Sequence, residues 1–225
     1  MAAMTTPQAM PDLLAAMRRD VHEAVRQLHL ARAISFARPG TVSLRLLDGA
    51  IALASLQIAD DAETRLVSIL DAAGTAGAPN SAVASAEVGA IHAAVLAARP
   101  AAKAVLVFRG HYLTAWAVGC KPIPVRYFQM LNYTKAPELP VAILDRPGNV
   151  TPLLEVMAAH PDSPCVLLSN GDVVTWSSAI VKAARLAISL DEAAQVTAIA
   201  ERLGGAKPYP SGIPESIYAA LAPYS

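Results

Sequence analysis

Arg109 follows an apolar pentad, Ala104–Phe108, and His111 stands two positions further on. A guanidinium holds its N–H donors in a planar fork, so it can bind a carboxylate or phosphate, or stabilise an oxyanion. An imidazole titrates near neutrality and can pass protons to a bound molecule. Glu87, upstream of both, adds a carboxylate. A fixed cation, an imidazole and a carboxylate suit chemistry beside a carbonyl, where an enolate is stabilised while a proton moves. Each residue also has a plainer role. Arg109 fits a salt bridge within or between chains, His111 a hydrogen bond at a helix start, and Glu87 the positive end of a helix dipole.

The histidines do not read as a metal set. They are His22, His29, His92, His111 and His160, and no pair has ligand spacing on one strand. His22 and His29 lie about two turns apart on one helix, where they pack or face solvent.

Periodicity gives the elements that would position these groups. Residues 1–11 are small and polar and read as a loose arm. Asp12 is a cap for a helix to about Ala33, with Leu13, Met17, Val21, Val25 and Leu28 on one face. Val42, Leu44 and Leu46 alternate with Ser43 and Arg45, Asp48-Gly49 turns, and Ile51–Leu56 returns, which predicts a hairpin. Residues 72–84 form a loop of small residues. Ser85 caps a helix to Ala98, ended by Arg99-Pro100. The Ala104–Phe108 pentad is a strand buried on both faces; alternation puts Val107 and Arg109 on one side and Phe108 on the other. Thr114–Gly119 reads as helical, Val141–Leu144 as a strand and Pro152–Ala159 as a helix. Cys165–Leu168 and Val173–Trp176 form a second hairpin around Asn170-Gly171, where Asp172 caps the turn. A long helix runs from Ser178 to about Leu203, with Asp191-Glu192 marking a possible break, and Gly204-Gly205 stops it. The Pro-rich tail holds one helical turn. Residues 12–225 therefore form one α/β domain with a substantially antiparallel sheet.

The bulk numbers agree. A chain of 225 residues with 54% hydrophobic content suits one large domain. No apolar run reaches the roughly 18–20 residues of a membrane span, and the first residues do not read as a secretory signal. A formal net charge of zero gives no electrostatic reason to expect nucleic acid, and does little to oppose self-association. The two cysteines, Cys120 and Cys165, form no Cys-x-x-Cys pair, so a reduced cytoplasm is the simplest setting.

A series of short motifs adds a resemblance. They are Gly40-Thr41-Val42-Ser43; His92 seven residues before Arg99-Pro100; Ala104-Val105-Leu106 with Thr114-Ala115; Pro122-Ile123-Pro124; Ser169-Asn170-Gly171; and Leu203-Gly204-Gly205 with Lys207-Pro208. In order and spacing they resemble the class II aldolase and adducin family from about residue 12 to 210. The resemblance implies a three-layer α/β/α fold with a largely antiparallel central sheet. It also implies a tetramer with active sites where subunits meet. Its enzymes cleave or epimerise sugar phosphates or decarboxylate related acids, with a divalent metal on the enediolate oxygens; adducin-type members are structural.

This chain departs from the pattern at the metal. The ligand positions carry Val107, Arg109 and Asn170. Valine cannot ligate, a permanent guanidinium charge repels a cation, and a lone amide oxygen is a poor anchor. No metal and no cofactor is therefore expected, and Arg109 would stand in the old metal pocket. The family's acid/base glutamate lies four residues before the helix histidine; Glu87 lies five before His92, and one residue turns a helical side chain by about 100°. The resemblance puts Arg38, Gly40, Thr41, Ser43, Ser85, Asn170 and Gly171 around the substrate. Tyr127 falls near a proton-donating tyrosine, Arg126 lies beside it, and Tyr209 lies where a neighbouring subunit's site could be closed. The expected function is a metal-independent carbon–carbon lyase, decarboxylase or isomerase. It would act on a small anionic carbonyl compound, with Arg109, His111, Glu87 and Tyr127 catalytic. The alternative is a non-catalytic, adducin-like structural or binding oligomer.

Overall fold

The computed structural model describes residues 9–59, 61–62, 66–76 and 85–221. Seven strands form one sheet: β1 (Gly40–Arg45), β2 (Ile51–Ser55), β3 (Val67–Leu70), β4 (Ala104–Phe108), β7 (Val141–Ala142), β8 (Cys165–Leu168) and β9 (Val173–Ser177). Their order is β3-β2-β1-β4-β9-β8-β7, and every pairing is antiparallel except β7 with β8. The pairs β5 (Ile123–Pro124) and β6 (Glu138–Leu139) make a separate two-stranded ribbon.

Helices cover both faces. α1 (Ala9–Leu30), α3 (His111–Val118) and α5 (Ile180–Arg202) pack on one side, and α2 (Ala86–Ala98) and α4 (Thr151–Ala159) on the other. β4 shows how the sequence does this. Ala104, Leu106 and Phe108 join the α1/α5 core while Val105 and Val107 join the α2/α4 core, and all five are buried. The architecture is thus the three-layer α/β/α fold with a largely antiparallel sheet. Among the described residues no helix is long and apolar enough to cross a membrane.

The structure adds β3 and the β5–β6 ribbon to the elements expected from sequence, ends β7 at Ala142 rather than Leu144, and differs at further places. α1 begins by Ala9, so residues 9–11 belong to the helix rather than to an arm, and Asp12 lies in its first turn instead of capping it. It ends at Leu30 rather than Ala33. Arg32 turns left-handed (φ 54°), its N–H donates to the His29 carbonyl and the Ala33 N–H to the Leu28 carbonyl. This is a Schellman end with arginine where glycine is usual. α3 starts at His111, three residues before Thr114. α5 runs unbroken through Asp191-Glu192, and a nine-residue helix, α6 (Ile213–Leu221), replaces the single turn expected in the tail. Of the loop 72–84, residues 77–84 lie outside the described residues.

Candidate active site: a cleft at the end of β4

β1 enters the sheet at Gly40, in a left-handed conformation (φ 101°); a Cβ there would overlap the Val107 carbonyl oxygen, so only glycine lets β1 approach β4 this closely. Register then sets Thr41 opposite Val107. Thr41 and Ser43 both point to a histidine. The Thr41 hydroxyl lies 2.8 Å from His92 Nε2 and the Ser43 hydroxyl 2.7 Å from Nδ1. His92 is fully buried, and burial pushes it down to about 3, so it is neutral. One ring nitrogen donates and the other accepts. Thr41 lines the cleft, whereas Ser43 is wholly buried beneath it and does not.

The cleft itself has a volume of ≈ 780 Å³. Arg109 reaches it from the end of β4, alongside Val107, as strand alternation predicted. Arg109 Nε donates to Asp172 Oδ1 at 2.6 Å and Nη2 to the Asn170 carbonyl at 3.2 Å. Asn170 also braces the aspartate: its Nδ2 donates to Asp172 Oδ2, and its Oδ1 accepts from the Asp172 N–H, both at 3.0 Å. On the α2 wall, the Ser85 hydroxyl caps the helix by accepting from the Val88 N–H at 3.3 Å. Glu87 follows in the first turn and packs against Gly148, where a Cβ would lie 3.1 Å from Glu87 Cγ. Arg38 lines the wall before β1.

Of the expected site residues, Arg109, Glu87, Arg38, Gly40, Thr41, Ser85 and Asn170 line this cleft; His111, Tyr127, Ser43 and Gly171 do not. Gly171 forms the hairpin turn against α3, its carbonyl accepting from the Thr114 hydroxyl at 2.9 Å. His111 lines a second cleft, of ≈ 870 Å³, with Asp191, Glu192, Arg32 and Phe36. The Tyr127 hydroxyl donates to Glu192 at 3.0 Å, and that carboxylate holds the phenol above its ordinary value. The separation has a simple cause. α3 starts at His111, so the chain leaves the strand direction at Gly110 and alternation no longer carries His111 to the side of Arg109. Arg126 donates to the adjacent Val125 carbonyl, and Tyr209 packs on the α1/α5 core with burial pushing its phenol up to about 12.

Residues that the sequence reading missed come from the loop between β7 and α4. Arg146 joins Arg38 and Arg109 in lining the cleft, and Asp145 accepts from Asn149 Nδ2 at 2.8 Å, closing the loop on itself. The Pro147-Gly148 pair was its only local signal. The ionic lining balances: Arg38, Arg109 and Arg146 face Glu87, Asp145 and Asp172.

The donor set does not fit a divalent metal. Val107 offers no lone pair, Arg109 is paired with Asp172, and the Asn170 amide is spent on the same aspartate. Among the described residues, no three His, Cys, Asp or Glu side chains are placed to hold one.

Comparison with known proteins agrees with this architecture. An L-fuculose 1-phosphate aldolase from Glaciozyma antarctica PI12 superposes with a TM-score of 0.72 at 16% identity, covering 97% of this chain and 86% of that one. YgbL of Klebsiella pneumoniae, a candidate aldolase/epimerase/decarboxylase, gives 0.65 at 24% identity over 83% of this chain and 90% of its own. An aldolase II superfamily protein from Pseudomonas syringae gives 0.71 at 17% identity, over 97% and 87%. No curated protein matches the chain. The model of the class II aldolase and adducin N-terminal domain matches residues 19–198, and the chain belongs to that family.

Proposed function

We propose that the protein is a metal-independent enzyme of the class II aldolase type, acting beside the carbonyl of a small anionic compound. The observation that carries this reading is Arg109, a cation at the cleft wall whose side chain remains 25% exposed although it is ion-paired. Its remaining N–H groups would stabilise the developing enolate oxygen. Glu87 would move the proton, and Arg38 and Arg146 would hold the substrate's carboxylate or phosphate. The reaction would be carbon–carbon cleavage, decarboxylation or isomerisation. The relatives' names, fuculose-phosphate aldolase and candidate aldolase/epimerase/decarboxylase, agree with that range. Within one chain His111 lines the second cleft and Tyr127 bonds that cleft's Glu192, so any part they take would come from a neighbouring copy in the proposed tetramer.

The common step of these reactions is proton exchange beside a carbonyl. The test is deuterium incorporation, read by NMR, into a panel of 2-oxo acids and hydroxyketone phosphates in D2O with chelator. Exchange that survives the chelator supports the reading. A wild-type protein that exchanges nothing from the panel sinks it. The tightness of the Arg109–Asp172 pair favours a second reading, a binding or structural member, which predicts no exchange and no loss of assembly on chelation.

A further inference from the structure

A guanidinium has five N–H groups. Arg109 spends one on Asp172 Oδ1 and one on the Asn170 carbonyl. Three remain, two on Nη1 and one on Nη2, with no partner among the described residues. The aspartate is fixed as firmly as the arginine. Both its oxygens accept side-chain bonds, from Arg109 and from Asn170, and its backbone is locked into the hairpin, with the Leu168 N–H donating to the Asp172 carbonyl at 2.8 Å. The backbone end of Arg109 is held too, its carbonyl accepting from the Ser35 N–H at 2.7 Å.

We propose that Asp172 is the positioning residue of this cleft: it turns the Arg109 guanidinium so that its remaining Nη1 and Nη2 donors present an N–H fork to the substrate oxyanion. The inference rests on the reading above. A long arginine side chain free to rotate would lose entropy on each turnover, and its charge would reorganise as the oxyanion forms; a clamped one avoids both costs. The clamp has an opposing effect on binding. The Asp172 carboxylate neutralises part of the charge that an anionic substrate would feel. Orientation and affinity are therefore set against each other at one residue, which a purely structural aspartate would not produce.

The experiment measures kcat and KM for deuterium exchange in Asp172→Ala and Asp172→Asn, together with thermal unfolding. Asp172→Ala is expected to lower kcat by about 100-fold, the scale of a misplaced catalytic group, without raising KM. Asp172→Asn keeps a carbonyl oxygen for the Nε–H and should recover most of kcat. Wild-type kcat in Asp172→Ala overturns the proposal. So does a loss of kcat accompanied by a rising KM and a falling unfolding temperature, the signature of a structural residue. A second readout separates this proposal from the enzymatic reading: titration with oxalate, an enolate mimic, followed at the Arg109 Nε–H resonance. If the wild type exchanges no deuterium, the enzymatic reading falls. The clamp then stands if oxalate moves that resonance saturably and far in Asp172→Ala, where the freed Nε–H is drawn to it, and only slightly in the wild type, where the Nε–H stays on Asp172. It falls if both respond alike or neither responds.

Discussion

Asp172 and Asp191 are both carboxylates drawn away from water, and they are satisfied in different ways. Asp172, in the Arg109 cleft, takes a guanidinium and remains 25% exposed. Asp191, in the second cleft, is 5% exposed and takes backbone instead. Its Oδ1 accepts the N–H groups of Tyr112 and Leu113, both at 3.0 Å. It caps α3 from another helix, because the N-cap position is Gly110, which has no side chain; a Cβ there would collide with the Asp191 carboxylate. Amide partners close a site: every donor they bring is consumed. A guanidinium partner leaves donors over. The first aspartate is thereby coupled to whatever enters the cleft, and the second to the fold. The same class of substitution should accordingly damage chemistry at one and stability at the other.

The largest expected effect is at Arg109. Arg109→Ala should lower chelator-resistant exchange by about 100- to 1000-fold, as loss of an oxyanion-stabilising donor does. Stability should change by only about 1 kcal/mol, since a partly exposed pair contributes little. Exchange assays and denaturant unfolding on the same preparation check both. A variant that stays active, or that loses several kcal/mol of stability, would make Arg109 a structural residue like Asp191 and erase the contrast.

Asp191→Ala should do the reverse. It strands the Tyr112 and Leu113 amides at the start of α3, at a cost of about 2–3 kcal/mol. Denaturant unfolding measures the loss, and faster hydrogen exchange at those two amides would localise it. An unchanged midpoint would mean that water caps α3 equally well.

A middle-sized effect tests the floor under Thr41. His92→Ala would leave the buried Ser43 hydroxyl without its partner and open a cavity, for about 2–4 kcal/mol in unfolding. His92→Gln, which can still donate and accept, should recover part of it and come out below the Asp191→Ala loss. Because burial holds His92 neutral, the wild-type bond pattern should not change between pH 5 and 8. Stability should nonetheless fall as pH drops below the ordinary value of 6.5, where only the unfolded chain takes up the proton. A histidine resonance titrating in that range would contradict the buried, neutral ring.

The residues that could be read in advance are those whose reasons are local. The β4 pentad is apolar throughout, so its burial and the sharing of a side by Val107 and Arg109 followed from alternation. Ser85 caps α2 because its type and place before an apolar run say so. What was not legible depends on distant partners or on an exception. The end of α1 hides in a left-handed arginine. Asp191 looks like a helix breaker until α3, 78 residues earlier in the chain at Leu113, is seen to need its carboxylate. Asp172 looks like a turn residue until Arg109, 63 residues away, is seen to lean on it. Within one chain His111 and Arg109 part for a related reason: the chain leaves the strand at Gly110 and α3 begins at His111.

The smallest effect, and the finest test of the contrast, is the pH dependence of Asp191→Asn. Burial raises the Asp191 carboxyl above its ordinary value of 3.8, outweighing the amides of Leu113 and Tyr112 and the nearby charge of His111, all of which lower it. The folded state therefore holds this proton more tightly than the unfolded one. Stability from this group is full below 3.8 and is lost as pH rises through the elevated folded value, after which the loss is constant. An asparagine keeps an acceptor for the two amides and carries no charge to desolvate. Its stability relative to wild type should thus improve as pH climbs through that window, by a fraction of the Asp191→Ala cost. The same measurement in a His111→Gln background removes a neighbour that lowers the Asp191 carboxyl and should widen the gap. A wild type that instead gains on the asparagine variant as pH rises would show that the amides, not burial, dominate at Asp191. That carboxylate would then favour its charged form, and the division between an aspartate for the fold and an aspartate for the cleft would rest on partners alone rather than on the balance between solvation and charge.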